Sequence, residues 1–159
     1  MDLEKIAIMR LCDGAEISKR YYDKPLMLCY SGGKDSDIIL DLAIKSGIDF
    51  EIQHSHTTAD APETVYHIRN KFKELESKGI KCNIDMPRYK GKPTSMWSLI
   101  VQKGIPPTRL VRYCCAILKE TGGKNRAIAT GVRRAESTKR RSKGIIETYS
   151  SNLSNKIVL

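Results

Sequence analysis

Two glycines flanked by hydroxyls and a lysine form Ser31-Gly32-Gly33-Lys34-Asp35-Ser36, which follows directly on an apolar run at residues 26–30. Glycine permits a tight turn and lets a ligand approach the backbone closely. A helix that starts here presents first-turn amides with no internal acceptor, together with the positive end of its dipole. The chemistry this implies is anion binding. It is not a Walker loop, which needs GxxxxGK[ST]: the residue five before Gly33 is Leu28, and Asp35 follows Lys34.

Four further stretches carry reactive or ligating side chains. "TTADAPET" (57–64) holds Thr57, Thr58, Asp60 and Glu63, with Pro62 placed to begin a helix. As caps these residues are ordinary, and as ligands the hydroxyls suit ribose or phosphate. "GVRRAESTKRRSK" (131–143) carries six Lys or Arg in thirteen residues. Arginine forks match the paired oxygens of phosphate and sulfate, so Arg133, Arg134 and Arg140, with Gly131 and Ser137, are candidate anion ligands.

"RYCCAILKE" (112–120) places Cys114 beside Cys115. Adjacent Cα atoms lie about 3.8 Å apart, closer than a disulfide favours. His54 and His56 alternate and face the same side of a strand, but no third ligand stands in register, so no metal site is expected from them.

These residues need elements to position them. Residues 26–30 read as a buried strand, and Ile38, Ile39, Leu42 and Ala43 then recur at helical spacing, with Gly47 as a stop. Residues 3–20 read as a helix whose Leu3, Ile6 and Met9 pack ahead of that strand. Residues 47–57 read as a second strand. A helix over 62–79 follows, with Val65, Ile68, Phe72 and Leu75 as its stripe and Gly79 past its end.

The spacing predicts a third strand at 80–86, a loop at 87–95 and a short helix at 97–103 with Trp97 in the core. A second loop covers 104–109, a helical segment 113–120 and a strand 127–132. Strands alternating with helices imply a parallel sheet covered on both faces. Ligands of such sheets bind at the carboxyl ends of the strands, and the stretches at 31–36, 57–64 and 131–141 all fall just past strand ends.

The totals agree with one soluble domain, 1–159. The chain has 159 residues, 40% of them apolar, with no run long enough to span a membrane. The amino terminus has no secretory signal pattern, and five cysteines without framework spacing suit a reducing compartment, so a cytoplasmic location is expected. The net charge of +10 favours anionic partners: nucleotides, sulfate esters or nucleic acid.

Ser-Gly-Gly-Lys-Asp-Ser after an apolar strand resembles the pyrophosphate-binding loop of the adenine nucleotide alpha-hydrolase superfamily. Thr57-x-x-Asp60-x-Pro62-Glu63-Thr64, the Cys114-Cys115 piece and Gly131-x-Arg133-Arg134-x-Glu136-Ser137-x-x-Arg140 follow in the order of the phosphoadenosine phosphosulfate (PAPS) reductases. The resemblance covers most of the chain. It implies a five-stranded, mostly parallel α/β sheet with helices on both faces.

It also implies an adenine nucleotide (PAPS, adenylyl sulfate or ATP) with its phosphates or sulfate at Ser31, Gly32, Gly33, Lys34, Asp35 and Ser36. Thr57, Asp60 and Glu63 would shape the site, Lys119 would reach the phosphosulfate, and the arginines of 131–140 would cover the charged end. In the family, Cys-Cys with a distant Cys-x-x-Cys holds a four-iron cluster. No cysteine follows Cys115, so Cys114 and Cys115 are at most partial ligands and a cluster is not expected for this chain alone.

Family reductases continue into further elements and a cysteine tail, whereas this chain stops at "SNKIVL", which reads as a strand lacking its successor. The expectation is a domain shortened at its carboxyl end, with the catalytic residue unassigned. Three function classes stay open. A reductase, an oxidoreductase of sulfate assimilation, would bind PAPS and take electrons from a thioredoxin-like partner. An ATP pyrophosphatase or sulfur-transfer relative acting in tRNA or DNA modification would bind ATP with Mg2+. A non-catalytic module would bind nucleotide or nucleic acid. No membrane partner is expected, and self-association as a homodimer is open.

Overall fold

The computed structural model describes residues 2–132, 144–151 and 154–159. Helix α1 (Leu3–Tyr22) starts at Asp2, whose carboxylate accepts from the amides of Glu4 and Lys5. Strand β1 (Leu26–Cys29) leads through the glycine loop into α2 (Lys34–Ser46), which ends at Gly47 with φ +68°. Then follow β2 (Phe50–Ser55), α3 (Pro62–Ser77) and β3 (Cys82–Asp85). The region read as a loop at 87–95 contains a small hairpin, β4 (Arg88–Tyr89) and β5 (Lys92–Pro93). Lys90 and Gly91, both at positive φ, make the two-residue turn that suits tightly paired strands.

Helix α4 (Met96–Lys103) is followed by a π-helical turn (Cys115–Lys119), then β6 (Arg126–Ala129), β7 (Glu147–Ser151) and β8 (Ser154–Val158). The main sheet has the order β3-β2-β1-β6-β8-β7, and every pair is parallel except β7 with β8. The sheet is thus mostly parallel, as expected, but has six strands rather than five. The added strand is β7, an edge ribbon that pairs with β8 alone and has no apolar run to announce it.

In register, Leu28 stands beside Ile52 and Met27 beside Ile128. Alternation sends the first pair to one face and the second to the other. On the first face, Leu26 and Leu28 pack with Leu11 of α1 and Ala43 of α2, and Ile52 packs with Ile68, Phe72 and Leu75 of α3. The opposite face is closed in part by the segment before β6. A side chain at Gly123 would collide with Ile128 and would stand 2.8 Å from Met27.

Two packing expectations are corrected. Leu3 and Met9 are exposed, because α1 turns Leu11, Gly14 and Ser18 to the sheet instead. Trp97 is 68% exposed, and the buried residue of α4 is Leu99. Among the described residues no helix is long and apolar enough to cross a membrane.

Candidate functional site

Successive strands step from β1 outward to β2 and β3, and β6 then returns to the other flank of β1. The direction of winding reverses there, and open α/β sheets form a crevice at the carboxyl ends of the strands at such a point. The loop leaving β1 and the first residues after β6 (130–132) start at this crevice. Gly131, just past β6, lies so close to α2 that an added Cβ would be 2.9 Å from the carbonyl oxygen of Asp35.

The loop at 31–36 is shaped by its own hydrogen bonds. The Ser36 hydroxyl donates to the carbonyl of Gly33 at 2.7 Å and accepts from the Gly33 amide at 3.1 Å. Ser36 is buried, whereas Ser31, Gly33 and Lys34 are exposed and Asp35 is half-buried. The two glycines have different duties. Gly32 has φ +76°, and its missing Cβ leaves room for Ile68 of α3, which would otherwise be 3.0 Å away. Gly33 has ordinary extended backbone, and its Cβ would meet only the Ser31 hydroxyl at 3.5 Å. The surface above Gly33 is therefore open to a ligand.

Tyr30 supports the loop from below, although the residue patterns gave it no role. Its hydroxyl donates to Asp37 at 2.7 Å, and burial pushes its phenol pKa up, with Asp37 adding to the effect. Its carbonyl lies 3.0 Å from Nδ1 of His54. His54 is buried at 6% exposure, and burial holds its pKa below the ordinary imidazole value.

The turn after β2 bonds to itself. The Thr57 amide donates to Asp60 at 3.0 Å, the Ala59 amide donates to the Thr57 hydroxyl, and Thr58, at φ +63°, accepts from the Met96 amide at 2.8 Å. Asp60 therefore holds the turn rather than capping α3, whose N-cap position is Ala61 with Pro62 first in the helix. Burial pushes the Asp60 pKa up, but the Thr57 bonds and the two imidazoles outweigh it and hold the carboxyl below its usual range. Glu63 is exposed in the first turn of α3. His56 Nδ1 stands 3.8 Å from Asp60, so the turn supplies the third polar ligand that the strand alone lacks.

Lys119 is exposed at the end of the π-helical turn. Cys114 and Cys115 are half-buried free thiols, and Cys115 accepts from the Arg112 guanidinium at 3.4 Å. Cys29 and Cys82 are also free, with burial pushing each thiol up to about 11. Gly131 is placed beside the loop, while Arg133, Arg134, Ser137 and Arg140 lie outside the described residues.

The loop at 31–36, the 57–60 turn and Gly131 thus follow the carboxyl ends of β1, β2 and β6, which are neighbours in the sheet. A family model for the phosphoadenosine phosphosulfate reductase domain matches residues 25–157, which spans every one of these pieces. No curated protein matches the chain.

Proposed function

The chain belongs to the phosphoadenosine phosphosulfate reductase domain family, within the adenine nucleotide alpha-hydrolase superfamily, and on that premise we propose that it binds PAPS or a close adenylyl analogue. The observation that carries this reading is the glycine loop at the reversal point between β1 and β6, with the loop leaving β6 packed against it. The phosphate or sulfate oxygens take the amides above Gly33, with Ser31 and Lys34 as side-chain partners. Ser36 is occupied in shaping the loop and acts by positioning. Arg133, Arg134, Ser137 and Arg140, which follow Gly131 in the sequence, are assigned to the charged end of the nucleotide, and Lys119 to the phosphosulfate, as the family resemblance implies.

Reduction of such a ligand needs a thiolate that attacks sulfur and expels the adenosine bisphosphate. Cys29 and Cys82, with thiols pushed up to about 11, are poor sources of one. Reduction by this chain would therefore need an attacking thiol other than these two.

Calorimetric titration of the full chain with PAPS, adenylyl sulfate and ATP tests the reading. Tightest binding is expected for PAPS. Arg133→Ala and Arg140→Ala should each weaken it roughly ten- to a hundredfold, the worth of one charge-assisted contact. Preference for Mg-ATP with pyrophosphate release would replace this reading with that of a pyrophosphatase. Failure to bind any of the three would overturn it.

A further inference from the structure

We propose that His54, His56 and Asp60 form a binding site for a single divalent transition-metal ion of the zinc class, a site independent of the nucleotide reading. One donor atom from each of the three residues lies within 4.8 Å of the other two. Two ligands on one tetrahedral ion stand about 3.3–3.5 Å apart, so small side-chain rotations close the set around a metal. His56 Nδ1 and Asp60 Oδ2 are at 3.8 Å, too far for a hydrogen bond to each other and near the spacing of shared ligands.

The second observation is an orphaned atom. His54 is 6% exposed, and its Nε2 is buried with no partner in the protein. Its Nδ1 faces the carbonyl of Tyr30 at 3.0 Å, so Nδ1 carries the proton and Nε2 bears the lone pair. An imidazole held through one nitrogen by a backbone carbonyl, with the other nitrogen bare, is the arrangement that orients a metal-ligating histidine. Buried acceptors without partners are rare, because their desolvation goes uncompensated. A metal compensates it here.

Asp60 is oriented in the same way, by the Thr57 amide. Three protein ligands leave a coordination position open. The histidines also line a small pocket with Val65, Ile68, Arg69, Ile84 and Met86. Arg69 lines the same pocket, and its cation opposes an added positive charge and weakens the site. Two imidazoles select zinc-like ions over Mg2+, which prefers oxygen ligands.

The experiment uses the full chain stripped of metal with a chelator and then titrated with Zn2+. Long-range 1H–15N spectra follow the imidazoles of all three histidines. One equivalent should move Nε2 of His54 and one nitrogen of His56 to metal-bound shifts, while His67 stays in place and Mg2+ has no effect. The Co2+ form should show visible ligand-field bands without thiolate charge transfer. His56→Ala, at a half-buried position, should weaken Zn2+ binding at least roughly tenfold. The double variant Cys114→Ser/Cys115→Ser should bind as the parent does. A His54 signal unmoved by stoichiometric Zn2+ would overturn the site, and so would binding that disappears with the cysteines.

Discussion

Gly32 and Gly33 are identical as residues and differ in what a side chain would do to each. At Gly32, positive φ costs a non-glycine residue roughly 1–2 kcal/mol, and the Ile68 contact adds to that. Gly32→Ala should therefore lower stability, read as an earlier urea midpoint. At Gly33 the backbone is ordinary and an added Cβ has no close neighbour. Gly33→Val should therefore remain folded, with at most the small cost of a valine at the start of α2, and lose nucleotide binding in calorimetry. Full binding by folded Gly33→Val would remove the loop from the site. The cysteines make a second residue-scale prediction. A thiol raised from 9 to about 11 holds about a hundredfold less thiolate at a given pH. Iodoacetamide at mild alkaline pH should label Cys29 and Cys82 far more slowly in the native chain than in urea, as peptide mass spectrometry would show.

At the scale of elements, the turn between β2 and α3 joins pieces that are remote in sequence. Thr58 adopts a left-handed conformation that is uncommon for a β-branched residue, and its hydroxyl accepts the Met96 amide at the start of α4. Thr58→Val keeps the strain and leaves that amide without its acceptor. It should cost about 1–3 kcal/mol, visible as a lower denaturation midpoint and faster amide exchange at the start of α4. Thr58→Asn tolerates the backbone and can still accept, so it should cost less. Equal losses in the two variants would mean that the hydrogen bond does not tie α4 to this turn.

For the whole molecule, an ion pair ties together strands on either side of β1. Glu51 of β2 pairs with Arg126 of β6, both nearly buried, and Arg126 also donates to the carbonyl of Pro25 at 2.9 Å. Lys81 adds a second cation at 3.2 Å. Burial pushes the Glu51 pKa up, but Arg126 and Lys81 outweigh it and hold the carboxyl below its ordinary value of 4.5. The unfolded state then binds the proton more readily, so this stability is fully present above pH 4.5 and is lost as pH falls through the folded pKa. Arg126→Met should cost about 2–3 kcal/mol near neutrality. Its stability should also fall less steeply than the parent's on acidification from pH 5 to about pH 3. A parallel pH profile would show that the pair does not carry the acid sensitivity.

Residue order alone determined the glycine loop between strand and helix, the α/β alternation and the amphipathic stripe of α3. Each of these is local: apolar spacing, turn chemistry and helix stops act over a few residues. The buried face of α1 was misread because several apolar residues compete along that helix, and only contact with Leu26 and Leu28 selects Leu11 over Leu3 and Met9. The β7 edge stayed hidden because a strand that pairs on one side with little burial needs no apolar signature. The tertiary structure alone brought Asp60 to His54 and His56, fixed the His54 tautomer through Tyr30, and laid Gly131 against α2. Those contacts depend on strand order and on where the turns close, and short-range spacing in the chain encodes neither.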